Sequence, residues 1–182
     1  MTVKEVVLLA ATHLGIADEV ESYVENKVGN GKNTLLLVDC FNLVENEIAL
    51  DYLPLYAEEE KQTLTGKIEY SAFQKPVTRV LKVTGADGAY QSYTCFPDCI
   101  KTSVGKIKIF YAYSPYKKTI DDCSDYETQV STRLLSYGVA AEYATAMGLY
   151  EEASVWDKKY KDALAAAYTL KSTSKMPSRG WV

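Results

Sequence analysis

Few side chains in this 182-residue chain have the type and spacing that chemistry needs. Cys95 and Cys99 form a C-x3-C step around Phe96-Pro97-Asp98, but no second Cys/His pair completes a zinc set, and His13 is the only histidine. Cys40 falls on the apolar face of an expected helix, so the four cysteines read as plain thiols. A Ser/His/Asp or Cys/His arrangement would need His13, whose sequence neighbours offer no nucleophile, so a structural role is expected. The run Gly29-Asn30-Gly31-Lys32-Asn33-Thr34 contains Gly-Lys without the upstream glycine or the hydroxyl residue after Lys that a phosphate loop requires. It reads as a turn entering a helix. Asp121, Asp122, Asp125 and Glu127 fit a metal site less simply than a helix N-terminus capped by Ser124 or Asp125. Glu58-Glu59-Glu60 reads as a solvated helix end. No catalytic, cofactor or metal residue is assigned, and the chain reads as a non-enzyme.

The elements that would carry these residues change character along the chain. Val3, Val6, Val7, Ala10, Ala11 and Leu14 make one amphipathic helix stopped by Gly15, and a short second helix opened by Asp18 should bury Val20, Tyr23 and Val24. Asn33 or Thr34 can cap a long helix from Leu35 to about Leu53, with Leu36, Leu37, Cys40, Phe41, Val44, Ile48 and Tyr52 inward. Glu45, Glu47 and Asp51 should lie on or beside its exposed face. Pro54 ends it. The period then becomes two over Lys67–Phe73, Val77–Val83, Tyr90–Phe96 and Lys106–Tyr113, predicting four or so strands of a small antiparallel sheet. Such a sheet needs a helix or a neighbouring subunit to cover one face. From Asp125 onward the pattern is a helical hairpin turning at Gly148. The expected fold is α+β and predominantly helical: a bundle with a long central helix and a C-terminal hairpin, plus a small antiparallel β excursion. As one domain it divides into residues 1–60 helical, 61–120 β, 121–170 hairpin and 171–182 tail.

Charge divides along the same lines. Residues 1–60 carry a net −9, residues 61–120 +7 and residues 121–182 −2, giving −4 overall. Three readings fit: a Lys-rich solvated sheet face, complementary surfaces between copies, or a nucleic-acid surface. The second predicts a salt-sensitive interface between the acidic zone of one subunit and the basic zone of the next. Fifteen tyrosines suit surfaces buried on association, and Tyr70, Tyr90, Tyr93, Tyr111 and Tyr113 of the β zone are the interaction candidates there. The tail holds Lys171, Lys175 and Arg179 with no acid and ends Trp181-Val182. Together with Met176 these make a candidate docking peptide, Trp181 being the apolar anchor. No apolar run reaches the ~18 residues that span a bilayer, and the first residues lack a signal-peptide pattern, so no membrane is expected and a cytoplasmic site of synthesis is.

The order of parts resembles the head–tail connector (neck or adaptor) proteins of tailed bacteriophages. The matching features are the long helix Thr34–Leu53 ending at Tyr-Leu-Pro, the Phe96-Pro97-Asp98-Cys99 turn and the strand end Tyr111-Ala112-Tyr113-Ser114-Pro115. The hairpin over Tyr137–Tyr143 and Ala153–Leu164 completes the set. The resemblance implies a virion protein at the neck, assembled in the bacterial cytoplasm. It would form a homo-oligomeric ring, usually dodecameric, beneath a portal protein and meet tail or further neck proteins. DNA would pass through without specific binding. A tetratricopeptide-like interaction adaptor is the alternative, suggested by Ala146–Ala153, although that architecture stacks several hairpins. An enzyme using substrate-supplied chemistry is a third class.

Overall fold

The computed structural model describes residues 1–26, 29 and 31–171, with side chains through Tyr168. Among these residues five α-helices make the chain 48% helical, and two three-stranded antiparallel sheets make it 23% strand. The expected predominantly helical bundle with a small β excursion is therefore corrected to a mixed fold. The chain forms two compact units: residues 1–44 with 118 onward, and residues 45–117.

The helical unit begins with α1 (Val3–His13), opened by a capping box in which Thr2 Oγ1 accepts from Glu5 N and Thr2 N donates to Glu5 Oε2. After α2 (Ala17–Asn26), α3 (Lys32–Glu47) starts ahead of both expected caps, one residue before Asn33 and two before Thr34. Asn33 thus lies inside the first turn, and its amide donates to the Glu19 carboxylate at 3.0 and 3.1 Å instead of capping. The last turn widens over Ile48–Tyr52, where Leu53 N donates to Ile48 O at 2.7 Å. Pro54, without a donor, follows this turn. Glu45 is fully buried, against the expectation of an exposed face.

The chain returns to the helical unit at Lys118, whose backbone is clamped by Asn42: Asn42 Oδ1 accepts from Lys118 N at 2.6 Å and Nδ2 donates to Lys118 O at 3.0 Å. Helix α4 (Thr132–Ala146) starts later than expected because Ser131, not Ser124 or Asp125, caps it, accepting from Leu134 N at 3.1 Å. Ser124 instead turns the chain locally by accepting from Tyr126 N. Helix α5 (Tyr150–Lys171) follows a C-cap in which Leu149 N reaches Ala144 O and Gly148 N reaches Thr145 O, with Gly148 at φ 76°. That is the Schellman geometry the Gly148 signal predicts.

Helix α4 is buried from Leu134 through Ala141 and packs against both α1 and α5. Its Gly138 admits the closest approach: a Cβ built there would lie 2.7 Å from Val44 Cγ1 of α3 and 3.0 Å from the Tyr160 ring of α5.

In the β unit, β1 (Leu55–Thr63), β6 (Gly105–Tyr113) and β3 (Val77–Gly85) form one sheet in the order β1-β6-β3. The second runs β2-β5-β4, from β2 (Lys67–Glu69), β5 (Cys99–Lys101) and β4 (Thr94–Cys95). The Tyr70–Phe73 end of the expected strand Lys67–Phe73 is a 3-10 turn over Tyr70–Ala72, and the expected strand from Tyr90 shortens to Thr94–Cys95. Ile68 and Ile100 of one sheet share a buried cluster with Val80, Val83, Ile107, Ile109 and Tyr111 of the other. The unit carries a core of its own, supplying the cover that the sequence pattern assigns to a helix or a neighbouring subunit.

At Gly138 a larger residue gains helix propensity but forces apart two well-packed helices. Gly138→Val should destabilise the protein by about 2 kcal/mol through overpacking, read as a lowered denaturant midpoint. An unchanged midpoint would show that α3 and α5 yield without cost.

Candidate functional site

Two places concentrate functional groups. In the helical unit, His13 at the end of α1 stacks on Trp156 of α5 with ring centroids 4.7 Å apart, and both approach Tyr137 of α4, at 5.2 and 5.7 Å. Two cations cover this stack. Lys159 Nζ lies 4.0 Å from the Trp156 ring centroid, and Arg133 Nε donates to Tyr137 Oη at 2.6 Å while its guanidinium lies over that ring. Helix spacing explains the grouping, since Arg133 and Tyr137 are i,i+4 and Trp156 and Lys159 i,i+3. Between α4 and α5 a groove opens beside the stack, a cleft of ≈ 560 Å³ lined by Arg133, Leu134, Tyr137, Lys159, Asp162 and Ala163. A second cleft of ≈ 450 Å³ continues it past Leu134 and Ala163 to Ala167.

His13 meets Ser136 here, Nε2 to Oγ 3.3 Å. The pair is not a base and its nucleophile. Ser136 is fully buried and donates its hydroxyl proton to Arg133 O at 2.9 Å, so its oxygen accepts from an imidazole N–H. Burial, with the charges of Lys159 and Arg133 added, holds the His13 pKa below its ordinary value. The ring is therefore a neutral stacking and donor group at pH 7, the structural role the sequence suggests.

The β unit places its charges on alternate faces. On the outer face of β1, Glu58 and Glu60 pair diagonally with Lys108 and Lys106 of β6, each at 2.8 Å. Part of the contrast between the acidic and basic zones is thus neutralised within the chain. Glu59 points to the opposite face and accepts from Tyr111 Oη, Gln74 N and Lys61 Nζ. Burial pushes its pKa up, but these three donors outweigh burial and hold the carboxyl below the usual range. The run read as a solvated helix end is a strand.

The tyrosine candidates separate accordingly. Tyr111 is fully buried in the β core, and Tyr70, Tyr93 and Tyr113 pack partly buried against it. Tyr90 remains exposed at 65%. Tyr111 is thus a core residue, while Tyr70, Tyr93 and Tyr113 lie at the margin of that core and keep part of their surface exposed. Of the tail candidates, Lys171 is the last residue of α5, and Lys175, Met176, Arg179, Trp181 and Val182 lie outside the described residues. In the acidic cluster Asp122 accepts from Thr119 N and Oγ1, while Asp125 pairs with Lys118 at 3.3 Å, so these two carboxylates serve loop and chain-return contacts. Cys95 is exposed and Cys99 buried, and all four cysteines are free thiols. The Phe96–Cys99 turn is closed by Phe96 N donating to Cys99 O at 2.8 Å. Among the described residues no helix is long and apolar enough to cross a membrane. Trp156 belongs to the apolar pattern of the second hairpin helix, whereas Lys159 and Arg133 are signalled in the sequence only by their i,i+3 and i,i+4 spacings to aromatic residues.

No protein-family model matches the chain, and no curated protein matches it.

Two titrations follow from these surroundings. The folded Glu59 pKa lies below the unfolded one, so its contribution to stability is present above the ordinary carboxylate range and is lost as pH falls through the folded value. Glu59→Gln should be less stable at neutral pH and lose less on acidification, as urea midpoints across pH would record; an acid limb as steep as wild type would refute this. His13 binds its proton more weakly folded than unfolded, so stability should decline as pH drops below its ordinary 6.5. As the only histidine, its imidazole NMR signals should titrate below 6.5. A midpoint at or above that value would contradict the stacked, cation-flanked site.

Proposed function

We propose that this chain is a structural, non-enzymatic virion protein of a tailed bacteriophage. In this reading it is a head–tail connector that assembles with its own copies into a ring beneath the portal and forms the platform for tail or further neck proteins. The observation that carries the reading is the arrangement of parts. A helical unit is built from both ends of the chain, and residues 45–117 form a compact β unit set between them in sequence. That order is the one on which the likeness to connector proteins rests. Surface chemistry supports it too. The helical unit leaves Leu35, Leu43, Met147, Leu149 and Tyr150 facing solvent, the kind of apolar surface that association covers. Passage of DNA through such a ring needs no base-specific contact.

The docking tail belongs to the same proposal. Residues 171–182 supply cations and one large aromatic, and repetition around a ring would multiply a modest contact into durable attachment. Light-scattering mass measurements on the protein alone and mixed with its assembled portal ring test the reading. A monomer in dilute solution that joins the portal as a ring is expected, and a chain lacking residues 176–182 should melt as the full chain does yet fail to join. A full chain that ignores the portal would overturn the connector reading. Normal docking by the shortened chain would overturn the tail's part in it.

A further inference from the structure

The two ends of the α4–α5 hairpin are complementary in shape and charge. At one end the tight turn projects Met147, Leu149 and Tyr150, exposed at 51%, 46% and 73%. The exposed carboxylates Glu151 and Glu152 follow directly in the first turn of α5. The Schellman bonds at Gly148 hold this knob in one conformation. At the other end lies the α4–α5 groove, whose alanine and leucine floor is bordered by Arg133, Lys159 and the Tyr137 ring. Asp162 also lines it, leaving the rim positive on balance.

We propose that the knob of one copy seats in the groove of the next, with Leu149 and Tyr150 on the apolar floor and Glu151 and Glu152 facing Arg133 and Lys159. A chain cannot fill its own groove this way. The ten residues from Tyr137, at the near edge of the groove, to Met147 separate the two features by at least roughly 15 Å along the helix, and both are fixed to the same rigid pair. The occupant is therefore a second copy. Joining two different surfaces makes the contact heterologous, so it repeats head to tail and closes into a ring when the rotation per subunit allows. The inference rests on the self-assembly in the reading above and names the surfaces that carry it.

Cysteine pairing between full-length chains tests it. In a background with the exposed Cys95→Ser and Cys123→Ser, one chain carries Leu149→Cys and the other Ala166→Cys, Ala166 being an exposed residue of the groove lining, and a mild oxidant is added to the mixture. Docked thiols should form mixed dimers on the order of tenfold faster than a control pair of Leu149→Cys with the exposed position Glu21→Cys, because docking raises their effective concentration. A chain carrying both cysteines should give a ladder of multimers. Adding Glu151→Lys and Glu152→Lys to the knob chain should return the rate to that of the control. These positions are exposed, and circular dichroism verifies that each variant keeps its helices. Control-level pairing by the unreversed chains would overturn the proposal. Binding of wild type to the portal as a ring in that case would leave the connector reading standing with a different interface. Pairing that rises only after residues 172–182 are removed would also overturn it, giving the groove to the chain's own last residues.

Discussion

Helix α4 is surrounded on several sides, and its glycine sets how closely the surroundings can come. At Gly138 the backbone of α4 meets a valine of α3 and a tyrosine ring of α5 at distances that leave no room for a methyl group. Along α1, the buried row Val3, Val6, Val7, Ala10 and Ala11 belongs to the helix that packs on another part of α4. The helical unit is thus a set of elements gathered around one buried rod, and small residues on that rod (Ala140, Ala141 and Ala144 beside Gly138) allow helix axes to approach. The aromatic stack of His13, Tyr137 and Trp156 depends on this gathering, since its three rings come from α1, α4 and α5. So does the groove beside it.

The β unit is organised by charge as much as by apolar contact. Its central strand β6 alternates lysine with isoleucine, and pairing with β1 gives the outward lysines glutamate partners while the isoleucines enter the core. Exposed ion pairs of this kind contribute little each. Their effect is to fix register, because a shift of one residue would turn Glu58 and Glu60 inward and expose Glu59's partners. Tyr111 adds a second check on register by donating to Glu59 from within the core. The contrast between acidic and basic zones is in this part of the chain a folding device.

Local signals were legible where the cause is local. The Gly148 turn, the α1 face and the Lys-Ile alternation of β6 each follow from a few adjacent residues, and the structure has them where the sequence places them. Strand β1 was not legible. Glu58-Glu59-Glu60 is a poor strand by propensity, and its stabilising partners lie some fifty residues away on β6. Without those distant partners the run reads as the end of a helix, which lengthens the expected helical zone and weights the expected fold towards helix. Asn33 misled for a similar reason: a good capping residue was drawn into the helix by a distant carboxylate on Glu19. The cation-covered stack also joins residues far apart in sequence, although its i,i+3 and i,i+4 pairs were in view. The tyrosine count does not distinguish Tyr111, buried in the β core, from Tyr70, Tyr93 and Tyr113 at its margin or from the exposed Tyr90.

The helical unit's discontinuity bears on the order in which the protein can form during synthesis. Met1 O accepts from Ser124 N, Val3 N donates to Asp122 O, and α1 packs on α4. Residues Met1 and Val3 therefore wait for partners made more than a hundred residues later. The β unit is complete once Tyr113 has emerged, because its first and last long strands, β1 and β6, pair with each other from Leu55↔Tyr113 onward. Domains fold as units while the chain grows, so the inserted unit has its full complement of strands first. Helix α1 then remains without its main packing partner until α4 appears, an interval in which its apolar face is exposed to other nascent chains. Closure of the helical unit falls to the segment that follows the β unit.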